Sequence, residues 1–271
     1  MTDSLSSDER PQADGAAVAA SAPQWVPHLG ALGTPLAART RQLWLGVECA
    51  VLFWGIPLAL LLQLIPGRGL RVLGILTLGI IALLLADRSF RFKSVFHPLR
   101  KADLKRALGR GLLIGAGVFL FAWLGDRVGL WPYSGPLWAD RPERFGDTLF
   151  MGFVLARPDI WALVMCLYPI FSALPQEIIG RTFFFHRYGE IFRSEGAMIT
   201  ASTLSFAFMH IIFQNWIALV FCLIGGYLFS HTYAKTRSLT AVWLEHSLYG
   251  CLIFTSGLGF FFFYTGQQVI R

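Results

Sequence analysis

Three short segments carry polar and ionisable side chains inside otherwise apolar stretches. They are Gln176-Glu177-Ile178-Ile179-Gly180-Arg181, Phe206-Ala207-Phe208-Met209-His210 and Glu245-His246-Ser247-Leu248-Tyr249-Gly250. A carboxylate and two imidazoles converging in a secluded pocket suit hydrolysis. One group takes a proton from water, and another stabilises the oxyanion that forms on a peptide carbonyl. Glu177 and Arg181 are four residues apart, so on a helix they share a face and can pair. Taken singly, each feature has a plainer reading: a structural ion pair for Glu177–Arg181, a helix–helix hydrogen bond for a lone histidine. Glu48 stands apart from the three, alone in an apolar run.

The elements that must position these residues are membrane helices. The chain has 271 residues, 55% hydrophobic and 14% charged, with a mean hydropathy of +0.56. A soluble domain is about one quarter charged, and here the deficit is concentrated in repeated apolar runs. Runs long enough to cross the hydrocarbon are Leu43–Leu64, Leu70–Ala86, Leu108–Leu124, Ile160–Arg181, Thr200–Phe213 and beyond, Trp216–Ser230 and Leu239–Phe263. The expected fold is therefore all-α, a polytopic transmembrane helical bundle of about seven spans (six to eight). Asp147–Ala156 is a candidate for a further interfacial helix.

Three regions follow. Residues 1–38 are polar, Ala/Ser-rich and proline-containing, without the pattern of a signal peptide, and read as a disordered cytoplasmic tail. Residues 39–158 hold the N-terminal helices and loops, and residues 159–271 the core that carries the polar segments. Arg88, Arg91, Lys93, Arg100, Lys101, Lys105 and Arg106 crowd the second inter-helix loop, which places that loop and the N-terminus on the cytoplasmic side. The net charge of +7 is thus a topology signal rather than a nucleic-acid footprint. Trp44, Trp131, Trp138, Trp161 and Trp216 fall near span ends, as an aromatic belt requires. The four cysteines lie in apolar runs without paired spacing and read as buried small hydrophobes. Gly225–Gly226 is expected to let two helices approach closely.

Depth links the segments. A polar turn at Ser194–Gly196 folds the fourth and fifth spans into a hairpin. With residue 195 as pivot, Glu177 lies 18 residues before it and His210 lies 15 after. His246 enters from the same side on the last span. One polar pocket is the expected result.

The three segments resemble the signature of the CAAX protease and bacteriocin-processing family, also called the abortive-infection family. Its pattern is Glu-Glu-x-x-x-Arg, then Phe-x-x-x-His, then His-x-x-x-Asn. The likeness runs from about Leu174 to Gly250, with Lys235-Thr236-Arg237-Ser238-Leu239 as the basic turn before the last motif. The resemblance implies an intramembrane endopeptidase acting on a lipidated or transmembrane protein, in contact with membrane lipid, in a bacterial plasma membrane. By position, Glu177 matches the second motif glutamate, Arg181 the arginine, His210 the first histidine and His246 the second. It also implies either a glutamate-activated water or a metal, zinc or another divalent cation, with Glu177, His210 and His246 as its ligands. Two positions depart from the pattern. Gln176 stands where the family has the glutamate proposed to activate water, and an amide is no base at neutral pH. Gly250 stands where an asparagine donor is expected.

Two functional expectations result. In the first, the chain is a working protease in which Glu177 or Glu48, reaching in from the first span, replaces the missing acid. Glu48 also reads as an interfacial residue one turn inside the membrane. In the second, it is a catalytically impaired pseudoprotease that binds peptides, as an immunity protein would. A transporter or channel is disfavoured by the lack of an internal repeat.

Overall fold

Each turn in the C-terminal half is made by a side chain suited to it. Ser194, Asn215 and Ser238 are extended residues whose side-chain oxygens accept from the backbone N–H three residues on, at Ala197, Ala218 and Ala241. Such caps satisfy the otherwise orphaned donors of a helix start. Gln214 and Arg237 take left-handed backbone immediately before Asn215 and Ser238, which lets the chain reverse at once. Three closely spaced antiparallel helices follow from these turns.

The computed structural model describes residues 35–65, 69–96, 99–131 and 148–262. Among them we number seven helices: α1 (Ala38–Leu61), α2 (Gly69–Ala86), α3 (Lys101–Arg127), α4 (Pro158–Arg187), α5 (Glu195–Phe213), α6 (Trp216–Thr236) and α7 (Leu239–Ser256). The first six are long and apolar enough to cross a membrane. α7 has 18 residues, the same as α2, or about 27 Å of helix, and its apolar character is diluted by Glu245 and His246. The bundle is all-α, and the protein is an integral membrane protein. Residues 1–34 of the tail and residues 132–147 of the Asp126–Asp159 loop, Trp138 among them, lie outside the described residues. A short helix, Gly152–Ala156, falls within the stretch expected to be interfacial.

The core sits among α4, α5, α6 and α7, where Phe183, Phe184, Phe185, Tyr188, Met198, Phe206 and Phe229 are buried. Leucines and isoleucines of α2 and α3, such as Ile75, Leu78, Leu112 and Leu113, are left outward-facing, as lipid contact requires. Small residues set the close crossings. A Cβ on Gly111 or Gly115 of α3 would press on Leu248 or Leu252 of α7, a small-xxx-small seam of the kind that draws membrane helices together. Gly226 sits against Phe206 and the Thr203 backbone of α5, the close contact expected of the Gly225–Gly226 pair, although Gly225 itself faces its own helix's Phe229.

Several expectations are corrected. The last span does not run on to Phe263. It ends at Ser256, because Gly257 adopts a φ of +99° beneath the Leu149 carbonyl, and a 3₁₀ turn, Leu258–Phe262, follows. Trp131 is not a belt residue: it is 3% exposed, packed over Gly125 and donating its indole N–H to the Ala122 carbonyl at 3.0 Å. Trp44 and Trp216 are exposed, as a belt needs. Of the cysteines, Cys49 and Cys222 are buried, whereas Cys166 is exposed on the outward face of α4 and Cys251 is half-buried.

Candidate active site

α4 is not a regular helix, and its irregularities bear on the polar residues. Pro169 and Pro175 remove backbone donors within it. Two π-helical turns, Pro169–Ala173 and Ile178–Phe183, flank the turn that carries Gln176 and Glu177. Wide turns of this kind recur at functional sites. Neighbouring helices satisfy the freed carbonyls: Trp243 of α7 donates to the Pro169 carbonyl at 2.6 Å, and Ser202 of α5 to that of Gly180 at 2.8 Å. Ser230 of α6 then donates to the Ser202 hydroxyl at 2.9 Å.

Glu177 and Arg181 are both 0% exposed. The guanidinium Nε lies 3.3 Å from Glu177 Oε2, and its Nη2 approaches the Gly226 carbonyl at 3.4 Å. The guanidinium also lies over the rings of Phe206 and Phe229, at 4.4 and 5.6 Å from their centroids. A charge in this setting requires a partner, and Glu177 is that partner. The other carboxylate oxygen, Oε1, meets His246 Nδ1 at 2.6 Å. An ionised carboxylate only accepts, so Nδ1 carries the proton and Nε2 is the imidazole's free base. The His246 ring stacks on Phe229 at 4.5 Å, which holds its plane.

His210 comes to the same place from α5, where the helix tightens into a 3₁₀ turn, His210–Phe213. Its Nδ1 faces the Phe206 carbonyl at 2.7 Å. A carbonyl only accepts, so here too Nδ1 is the donor and Nε2 is free. The Phe206 ring is shared by the two imidazoles, at 4.7 Å from His210 and 5.7 Å from His246. Both histidines line one cavity of about 140 Å³, together with Tyr168, Ser172 and Gln176 at its polar part and Ile114, Phe213, Ile253 and Phe254 among its apolar walls. Gln176 donates Nε2 to the Ser172 hydroxyl at 2.9 Å, while its Oε1 has no partner.

Glu48 is not part of this site. Arg187, at the end of α4, donates to its two carboxylate oxygens at 3.0 and 2.8 Å, and the Tyr188 hydroxyl donates at 3.2 Å. A carboxylate so engaged, away from the cavity walls, ties α1 to the end of α4 and answers to the interfacial reading. The metal set fares no better. Glu177 is already held by His246 and Arg181, so its oxygens are not free to serve as ligands. Among the described residues no group of three or more His, Cys, Asp or Glu side chains is arranged to hold a metal ion. The donor set as placed does not fit one.

Some site residues escape a reading of the sequence. Glu245 is 0% exposed and accepts from Thr232 and Tyr249, each at 2.6 Å, while Arg110 of α3 lies 3.3 Å away. This cluster fixes the turn of α7 that carries His246. The i,i+4 spacing of Glu245 and Tyr249 was a visible signal; the arginine inside α3 was another. Tyr168 and Ser172 carried none, since a tyrosine and a serine in an apolar helix are unremarkable.

Comparison with known families agrees with the geometry. The family model described as type II CAAX prenyl endopeptidase Rce1-like matches residues 158–252, a range running from the first residue of α4 into the last turns of α7 and containing Glu177, Arg181, His210 and His246. No curated protein and no solved structure matches the chain. Residues 158–252, which supply most of the cavity's lining, are thus similar to the CAAX prenyl endopeptidase family.

Proposed function

We propose that the protein is an intramembrane endopeptidase that hydrolyses a peptide bond of a lipidated or membrane-spanning protein, with His246 as general base. The observation that carries this reading is the 2.6 Å contact between His246 Nδ1 and Glu177 Oε1 at the cavity wall. Glu177 fixes the tautomer and stabilises the imidazolium that forms when Nε2 takes a proton from water. Arg181 neutralises the carboxylate in the resting state, so the buried cluster carries no net charge when His246 is neutral. His210 Nε2 accepts the water's second hydrogen and aligns its oxygen for attack. The basic Arg88–Arg106 loop then marks the cytoplasmic side.

This assignment moves the base from the carboxylate expected in the first motif to an imidazole. It needs no contribution from Gln176 or Glu48. A second reading, a pseudoprotease that binds peptides without cutting them, is favoured by the unpartnered Gln176 Oε1, which fits acceptance from a peptide N–H.

The test is cleavage of a panel of prenylated and transmembrane peptides by purified wild type, His246→Ala, His210→Ala and Gln176→Glu. Wild-type cleavage lost in His246→Ala supports the enzyme. A silent wild type with activity gained in Gln176→Glu establishes the binder.

A further inference from the structure

The face of α7 that carries His246 has an unfilled position one turn on, and another helix fills it. Gly250 lies four residues after His246, so any side chain there would project beside the imidazole. The space is taken by Tyr168 of α4: a Cβ built on Gly250 would overlap the phenol's Cε1, Cζ and Oη. The ring is held edge-on by Phe254 at 5.2 Å and by His246 at 6.0 Å. Its hydroxyl has no hydrogen-bond partner among the described residues, although a phenol turned inward normally finds one. It lines the same cavity as both histidines.

The remaining polar atoms show what is missing there. His246 Nε2, His210 Nε2 and Gln176 Oε1 are acceptors, and Gln176 Nε2 is already committed to Ser172. Hydrolysis places negative charge on the carbonyl oxygen and so requires a donor. Three hydroxyl side chains line the cavity; that of Tyr249 is committed to Glu245, which leaves Tyr168 and Ser172, and Tyr168 is the one set beside His246. A phenol is protonated at neutral pH and donates.

We propose that Tyr168 is the oxyanion donor of this active site, taking the place that a side chain at position 250 would otherwise occupy. The inference rests on the endopeptidase reading above. In the step it serves, the water oxygen bonds to the peptide carbon as His246 Nε2 takes a water proton. The carbonyl π pair moves to oxygen and accepts the Tyr168 O–H. Collapse of this intermediate breaks the C–N bond, and the imidazolium proton goes to the departing amine. The sum is peptide plus water giving acid plus amine.

Tyr168→Phe keeps the ring against Gly250 and removes only the donor. The expected result is a fall in kcat of about 10²–10³-fold, with KM and thermal midpoint nearly unchanged, while Ser172→Ala retains most of the rate. Tyr168→Ala/Gly250→Asn, where the vacated space admits an amide donor, should regain rate over Tyr168→Ala alone. Full kcat in Tyr168→Phe, or a loss confined to Ser172→Ala, overturns the assignment and leaves the protease standing. A wild type that cuts no member of the panel, with His246→Ala equally silent, overturns both.

Discussion

His246 Nδ1 and Glu177 Oε1 lie 2.6 Å apart although 69 residues separate them in the chain, and Glu177 is wholly buried. The pair joins α7 to the irregular middle of α4 and leaves one imidazole nitrogen facing the cavity. If that nitrogen is the base, His246→Ala should lower kcat by ~10²–10⁴-fold, the usual worth of a positioned general base. Glu177→Gln keeps an acceptor but loses the charge that stabilises imidazolium, and should lower kcat within the same range. Steady-state kinetics on any peptide that wild type cleaves decides this. A His246→Ala enzyme with wild-type kcat removes His246 from the chemistry.

Arg181 separates stability from catalysis. It makes a buried ion pair with Glu177 and stacks on two phenylalanines, but it does not line the cavity. Arg181→Met leaves Glu177 buried with only the imidazole beside it. It should cost ~3–5 kcal/mol, the range for breaking a buried pair from one side. Glu177→Gln/Arg181→Met removes both charges and should recover much of that loss without restoring turnover. A double-mutant cycle on detergent unfolding, run beside the kinetic assay, shows whether the two quantities part in this way.

Glu48 gives the opposite pattern. The bidentate Arg187 contact and the Tyr188 hydroxyl account for its presence in α1. Both partners are partly exposed, with side chains 37% and 20% accessible for Arg187 and Glu48, so the pair contributes on the order of 1 kcal/mol. Glu48→Gln should lower the thermal midpoint slightly and leave kcat intact. An inactive but stable Glu48→Gln protein would bring Glu48 back into the chemistry.

The bundle was legible in the sequence because lipid imposes one rule, about 20 apolar residues per crossing, and the spans α1 to α6 obey it. The grouping of Glu177, Arg181, His210 and His246 was legible for the complementary reason, that ionisable groups in such helices are costly and seldom random. Their pairing was not. Equal depth placed Glu177 and His210 in one pocket, but the contact Glu177 makes is with His246, from a turn of α4 flanked by π-helical segments. Residue spacing along ideal helices cannot register such a turn. Nor could it show that Gly250 is filled by Tyr168, since that depends on how α4 crosses α7.

Asp87, the first residue beyond α2, makes a pH-sensitive contact with His186 near the end of α4. Burial alone would raise the Asp87 carboxyl, but hydrogen bonds from Ser89 and His186 outweigh it and hold the pKa at about 2. The folded value lies below the unfolded value of roughly 3.9, so the stabilisation is full above about pH 4 and is lost as pH falls toward 2. The side chain is 35% accessible, which makes the contribution small. Asp87→Asn should therefore differ from wild type by a constant, modest stability deficit above about pH 4 that closes as the pH falls toward 2. Unfolding midpoints across that acid range read it directly, and a gap that widens on acidification contradicts the assignment.

Gly226 tests the scaffold behind the site. Its missing side chain lets α6 approach α5, where a Cβ would stand 3.2 Å from Phe206 Cδ1 and 3.3 Å from the Thr203 carbonyl oxygen. The aromatic ring can yield a few tenths of an ångström, but the carbonyl is fixed in helix α5. Gly226→Ala should be tolerated with a loss of about 1 kcal/mol, and Gly226→Leu should cost ~1–3 kcal/mol or more through overpacking. Phe206 packs against both imidazoles and against the Arg181 guanidinium, so displacing it should also disturb the cavity. Gly226→Leu should therefore lose turnover beyond what its stability predicts, even well below its unfolding temperature. Measuring kcat and the midpoint for both variants separates the effects: a Gly226→Leu protein that is destabilised yet fully active at low temperature would mean that the site does not depend on the α5–α6 spacing.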